Sequence, residues 1–305
     1  MAQARRAAGV MDECIVTCAL SGVAANRAQC PAIPYTPEDY AAEAKRARDA
    51  GAAAVHIHAR HPDGTPSYRI EDYRDITVAI LDAAPDLIVN FSTGAVGIPI
   101  EERVHQVTAL RPELAALNMG SMNYAKYSPK RKSFVFEFVF ANPFGEIVYL
   151  LEQMRGAGVK PECECFDTGH VASLTPLIDM GLLEPPVQLS LIVGVLGGAP
   201  ADARTLAHLA SLVPQPATWE VVAISRAQWG MVSAAAALGG NVRVGLEDNF
   251  YLPDGTMAAS NGDLVEAAAR LVELSGRTVA EPEAARRLLG LPDPPDRSAL
   301  SEEVA

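Results

Sequence analysis

The stretch Ala53–Arg60, AAVHIHAR, sets two of the chain's six histidines, His56 and His58, two residues apart behind an apolar run. Side chains at i and i+2 of a strand point to the same face. Both imidazoles therefore enter one space, where a zinc-type divalent metal is the ligand they suit best. A catalytic site of this kind adds a third protein ligand and keeps one position open. Glu247, in VGLEDN, is the third ligand expected, giving a His2Glu set; a loop cap is its other possible use. A metal there would act as a Lewis acid on a substrate carbonyl.

Arg243 and Asp248 bracket the same segment. An arginine inside a buried strand has to be paired. The pair is either an ion pair holding the structure together or a carboxylate base, Asp248, oriented and tuned by its neighbours. Spacing alone does not choose between them. Ser92-Thr93-Gly94 in NFSTG and Asn118 with Gly120-Ser121 in NMGSMN put hydroxyls and N–H groups beside glycines. Such turns can cradle a carboxylate or a developing oxyanion, and helix capping accounts for them almost as well. GVLGG, at 194–198, allows close backbone approach to a ligand or makes a tight turn. The run Lys130-Arg131-Lys132 is either a solvated loop or an attractor for phosphates of a nucleotide-bearing cosubstrate. His61 opens the turn HPDGTP and is expected in solvent.

These residues need a scaffold that gathers strand ends. Strands are expected at Cys14–Leu20, Ala53–His58, Leu87–Phe91, Ala115–Asn118, Glu162–Phe166, Val187–Val193, Thr218–Ile224 and Val242–Leu246. Helices fall between and after them, the first announced by Thr36 as N-cap, Pro37 at the first position and Gly51 as stop. The others are expected near Glu71–Ala84, Pro99–Leu110, Gly145–Gly156, Val171–Met180, Asp202–Leu212, Gln228–Leu238 and Asp263–Ser275. A long loop at about 122–144 interrupts the fourth unit, and a Pro-rich tail from about 277 is expected to pack outside. Eight βα units of this size without a domain-sized linker predict one (β/α)8 barrel over the chain. An open doubly wound sheet is the runner-up, but LSGVAAN after the first strand is a poor match to its Gly-rich turn. In a barrel, chemistry collects at the C-terminal strand ends, which is where the polar residues above lie.

Composition narrows the function. The 305 residues are 49% apolar and 20% charged, with a net charge of −12, which argues against nucleic-acid binding. No apolar run has transmembrane length, and Met1–Val10 lacks the core of a secretory signal, so a cytoplasmic protein with no membrane partner is expected. The five cysteines Cys14, Cys18, Cys30, Cys163 and Cys165 are an odd set without zinc-finger spacing and are expected to be buried and free.

Taken in order, VHIHAR, FSTG, LNMGSMNY, PECECFDTGH, GVLGG and VGLEDN resemble the β-keto acid cleavage enzymes over about Glu13–Leu289. The resemblance implies a (β/α)8 barrel with a Zn2+-type metal and a condensation of a β-keto acid with acetyl-CoA. Acetoacetate and the CoA ester of the shortened acid would be the products. It places the metal ligands on His56, His58 and Glu247, the base on Asp248 and its activating arginine on Arg243. Substrate-positioning hydroxyls fall on Ser92 and Ser121, and a further acidic position on Glu164. A homotetramer is also implied. Where the founding member carries a glutamate facing the amino end of its substrate, SGVAAN has Ala24, which predicts a substrate without that amino group. Two rivals remain: a metal-dependent barrel hydrolase, for which His170 is the only further histidine candidate, and a non-catalytic metal-stabilised scaffold.

Overall fold

Runs of Val, Ile, Ala and Cys followed by amphipathic helices make parallel strands, because each helix carries the chain back outside the sheet before the next strand begins. The computed structural model describes residues 12–293 and 295–300; the Met1–Val10 segment lies outside them. Strands β1 (Glu13–Cys14) and β2 (Val16–Ala19) lead to α1 (Pro37–Asp49), β3 (Ala54–Ile57), α2 (Ile70–Ala83), β4 (Ile88–Ser92), α3 (Ile100–Leu110) and β5 (Leu114–Asn118). There follow β6 (Met122–Ser128), β7 (Ser133–Phe140), α4 (Phe144–Ala157), β8 (Lys160–Cys165), α5 (Thr168–Ala172) and α6 (Leu174–Asp179). The chain continues through β9 (Val187–Val193), α7 (Ala203–Ser211), β10 (Ala217–Ala223), α8 (Gln228–Leu238), β11 (Asn241–Val244), α9 (Asn261–Leu274), β12 (Thr278–Val279) and α10 (Pro282–Leu289). Parallel pairing in the order β10-β11-β2-β3-β4-β5-β8-β9 closes the barrel, as expected, and rules out the open sheet.

Thr36 caps α1 in a reciprocal capping box with Asp39, and Pro37 opens the helix. The expected helix Val171–Met180 is two short helices, α5 and α6. Its start moves forward to Thr168 because the Asp167 side chain accepts from the His170 N–H as an N-cap. All five cysteines are buried and free.

Two expectations are corrected. The tail does not pack outside: β12 pairs with β1, and α10 closes the lower end of the barrel. Ala284, Ala285 and Leu289 of α10 pack on Ile15, Ala54, Ile88 and Leu114, the lowest inward residues of four strands. Arg286 locks the plug through a two-pronged pair with Glu113 at 2.7 and 2.8 Å. The segment at 122–144 is not a loop for most of its length. It is an antiparallel hairpin, β6–β7, with Lys130-Arg131-Lys132 exposed at its tip.

Above the apolar floor the barrel holds a polar layer. Thr17 donates to Glu220 at 2.7 Å, Ser190 lies within hydrogen-bond reach of both Glu220 (3.1 Å) and Glu162, and Asn90 donates to Glu162. Burial, followed by the nearby Glu162, pushes Glu220 up to about 8 from an ordinary 4.5. A carboxyl raised on folding adds stability that is fully present below its unfolded value and lost as pH climbs through the folded one. The protein is therefore expected to lose thermal stability between about pH 4.5 and 8. Glu220→Gln should flatten that decline by a few degrees in Tm, to order of magnitude. Parallel Tm–pH curves for wild type and variant would refute this assignment.

Candidate active site

Five strand ends, those of β3, β4, β5, β8 and β11, bring the site together. On β3, His56 points inward and is 1% exposed. His58 follows just beyond the strand on the same side, its ring 5.3 Å from that of His56 in an edge-on arrangement. After β11 the chain turns sharply at Gly245, whose φ is +136° and where a Cβ would lie 2.2 Å from the Ala19 carbonyl oxygen. Only glycine allows this turn, and the turn delivers Glu247 and Asp248 to the barrel mouth. The carboxylate of Glu247 lies 3.9 Å from Nε2 of His56 and 3.5 Å from Nε2 of His58.

One ligand atom from each of these three side chains lies within 4.8 Å of the other two, and among the described residues this is the only such group able to hold an ion. Both ring nitrogens of His56 and Oε2 of Glu247 are buried without a hydrogen-bond partner. Buried polar atoms ordinarily find partners, so orphaned donors converging from two strands fit a bound cation better than a packed core. Burial and the nearby Arg243 hold His56 well below its ordinary value, which keeps it neutral, the state a metal ligand requires. Burial alone would raise Glu247, but Arg243 and the two histidines outweigh it and hold it well below the carboxylate range.

Arg243 occupies the centre and is 2% exposed. Its Nε and Nη2 grip Asp248 at 3.0 and 3.1 Å, and Nη2 also reaches Glu247 at 2.7 Å. Nη1 stands 3.6 Å from Glu164 and has no hydrogen-bond partner. Burial, opposed by Arg243 and assisted by Glu247, raises Asp248 to about 6. Burial and Glu162 raise Glu164 to about 8. The site thus joins an ionised Glu247 to two carboxyls poised nearer neutrality, an arrangement in which one can take a proton while another stays charged.

The other expected site residues line the neighbouring strand ends. Ser92 accepts from the Gly94 N–H at 3.1 Å, and Thr93 donates to the Ala116 carbonyl at 2.7 Å. Asn118 ends β5 beside Gly94. Ser121 accepts from the Asn142 N–H at 2.7 Å, fastening the return of the hairpin. His170 is not with the metal-type group; its Nδ1 accepts from the Phe166 N–H at 3.2 Å. His61 lies at the surface, 3.2 Å from Asp72. In GVLGG the close backbone approach is to the protein itself: a Cβ on Gly197 would lie 1.7 Å from the Asn123 carbonyl oxygen, so the turn packs directly against β6.

Several residues escape a sequence reading. Arg60 donates to the carbonyls of Ser21, Gly22, Ala25 and Gly64 and so fixes the loop after β2. Within that loop Gly22, at φ +54°, leaves the space Glu247 fills, since a Cβ would come within 2.6 Å of its Cγ. Tyr40 donates to the His58 carbonyl and lies within hydrogen-bond reach of the Ser21 hydroxyl at 2.8 Å, and the Asn261 side chain accepts from the Leu246 N–H at 2.9 Å. Tyr124 of β6 packs on Met122, Phe166, Ile192 and Val222 at the mouth, and burial, followed by the charges of Asp248, Glu247 and Glu164, pushes its phenol up. The one signal available was SG after the first strand; the rest act through partners distant in sequence.

A closed barrel whose mouth gathers two imidazoles, an arginine and three carboxyls has the architecture of a (β/α)8-barrel enzyme. The family model described as beta-keto acid cleavage enzyme matches residues 13–291, and the chain belongs to that family. It is 39% identical to the 3-keto-5-aminohexanoate cleavage enzyme of Acetoanaerobium sticklandii, over 92% of this chain and 99% of that one. It is 35% identical to the 3-dehydrocarnitine:acetyl-CoA trimethylamine transferase of Rhizobium meliloti, over 92% and 97%. The apo structure of ObcA superposes with a TM-score of 0.72 at 20% identity, covering 86% of this chain and 66% of that one, a likeness of fold.

Proposed function

We propose that the protein is an acyltransferase that condenses a β-keto acid with acetyl-CoA, releasing acetoacetate and the CoA ester of the shortened acid. The observation that carries this reading is the convergence of His56, His58 and Glu247 beside the Arg243–Asp248 pair in a member of this family. The names of its relatives, which include an acetyl-CoA transferase, support the cosubstrate.

His56, His58 and Glu247 would hold a Zn2+-type ion, which when bound lowers the energy of an enolate by polarising the keto oxygen. Asp248 removes a proton from the carbon between the two carbonyls, its affinity for that proton set by burial and by Arg243. The resulting C2 carbanion attacks the acetyl carbonyl and the C–S bond breaks, freeing CoA thiolate. The thiolate attacks the original keto carbonyl. The bond between that carbon and C2 then breaks, leaving the acyl group on CoA and acetoacetate as the carbanion that regains a proton. Ser92 and Ser121 each use their oxygen as an acceptor within the fold, which leaves the hydroxyl proton free to steady an oxyanion. Nη1 of Arg243 is a second donor of that kind. Glu164, raised to about 8, can donate a proton near neutral pH. Asn118, Thr93 and Gly94 complete the polar wall. The homotetramer and cytoplasmic setting implied by the resemblance belong to the same proposal.

Ala24 stands exposed in the loop that Arg60 clamps beside Glu247. Without a carboxylate there, the substrate lacks the 5-amino group. A panel of 3-oxo acids with acetyl-CoA, followed by CoA-ester and acetoacetate formation with bound metal quantified, tests reaction and substrate together. An uncharged 3-oxo acid should outpace 5-amino-3-oxohexanoate; the reverse order would refute the amino-group inference. The hydrolase alternative needs further ligands from later strands, and among the described residues His170 supplies none.

A further inference from the structure

The polar groups of the site come from β3 to β5, from β8, and from β11 with the turn after it, and the β9–β10 side of the mouth takes no part in the steps above. Ile192 and Val222 are register partners on β9 and β10, and Val222 is level with Arg243 on β11. Ser190 and Glu220, two residues before them, belong to the interior polar layer. By strand alternation Ile192 and Val222 therefore point inward one layer higher, beside Arg243. In the barrel order β9 and β10 lie across from β3 and β4. The two side chains cluster with Phe166 and Met122, and Tyr124 and Phe140 pack on this cluster.

The hairpin roofs it. Pairing of Met122 with Phe140 and of Tyr124 with Phe138 sets those four on one face of β6–β7. Tyr124 stacks on Phe138 at 5.2 Å, and Phe140 meets Phe166 edge-on at 6.3 Å. Glycine at 197 lets the turn after β9 hold β6 against the barrel, with the Ala125 N–H donating to the Leu196 carbonyl at 3.3 Å. The mouth is thus two-sided: imidazoles, hydroxyls and carboxyls on one side, aliphatic and aromatic carbon on the other.

We propose that this apolar side, with Tyr124 and Ile192 as its specificity-determining residues, is a subsite for an uncharged carbon chain carried by one of the two substrates. The proposal rests on the transfer reaction above. The chain is either the tail of the β-keto acid or the pantetheine arm of acetyl-CoA. A charged tail is disfavoured here, since burying an ion against carbon costs its hydration without a partner.

The test compares wild type, Tyr124→Ser and Ile192→Ala with 3-oxopentanoate, 3-oxohexanoate and 3-oxooctanoate, and titrates acetyl-CoA for each protein. Tyr124 sits on the hairpin and meets the cluster from above, so Tyr124→Ser keeps every barrel-strand side chain in place if Ile192→Ala proves unstable. If the keto-acid tail occupies the subsite, kcat/KM of wild type rises by about fourfold per methylene. Both variants flatten that rise with the KM for acetyl-CoA unmoved. If the pantetheine arm occupies it, the variants raise the KM for acetyl-CoA severalfold and keep the wild-type dependence on chain length. Variants that match wild type in both readouts overturn the subsite alone. Wild type that forms no CoA ester from any 3-oxo acid overturns the transfer reaction, and the subsite with it.

Discussion

Asp248→Asn is expected to lower kcat for acetoacetate formation by ~10²–10⁴-fold, the usual contribution of a positioned general base, with bound metal unchanged. Asparagine is nearly the same size and can still accept from Arg243, whose Nε and Nη2 hold Asp248 at 3.0 and 3.1 Å. What it lacks is a basic oxygen. The alternative, that the pair is only an ion pair fixing the barrel mouth, makes the opposite prediction. On that view the variant is less stable, because a buried arginine loses a charged partner, while the surviving folded enzyme turns over at the wild-type rate. Steady-state kinetics beside a thermal melt separate the two. Near-normal kcat in folded Asp248→Asn would leave Asp248 no proton to carry.

The second large effect is on metal binding. His56→Leu is expected to weaken the ion by more than the ~10–100-fold typical of disturbing a ligand's outer partners, and activity should fall with metal occupancy. In the presence of a chelator, stability should move the other way. Both imidazole nitrogens of His56 are buried without a hydrogen-bond partner, and a group left in that condition costs about 1–3 kcal/mol. Leucine removes the cost at similar volume, so chelated His56→Leu should melt no lower than chelated wild type. A histidine placed for packing would show the reverse: a lower melting temperature and unchanged metal content.

The barrel was legible because its signal is local and repeated. The strands are short apolar runs alternating with amphipathic helices, the first of them capped at Thr36-Pro37, and the structure shifts their bounds by only a few residues. His56 and His58 were legible for the same reason, since a two-residue spacing fixes a shared face. Glu247 and Arg243 could be placed only through the recurring position of strand ends. That position cannot tell an ion pair from a tuned base, whereas three hydrogen bonds and an Nη1 without a hydrogen-bond partner, 3.6 Å from Glu164, describe the geometry directly. The Pro-rich tail reads as an outer segment because the small apolar face of PEAARRLL becomes complementary to Ile15, Ala54, Ile88 and Leu114 only once the barrel is closed. The hairpin had a usable signal: SFVFEFVF places phenylalanine at every second position, the period of a strand. Arg60, Asn261 and Glu220 could not be read at all, because their partners lie far along the chain or on backbone carbonyls whose approach depends on closure.

The most direct test of the proposed chemistry follows one carbon. Acetyl-CoA labelled with 13C at the acetyl carbonyl is incubated with the metal-loaded enzyme and an uncharged 3-oxo acid. If the C2 carbanion attacks the thioester and the original acyl group leaves on CoA, the label appears at C3 of acetoacetate and the new CoA ester carries none. Label recovered only in acetyl-CoA or acetate, with the keto acid split by water, would contradict acyl transfer at this site.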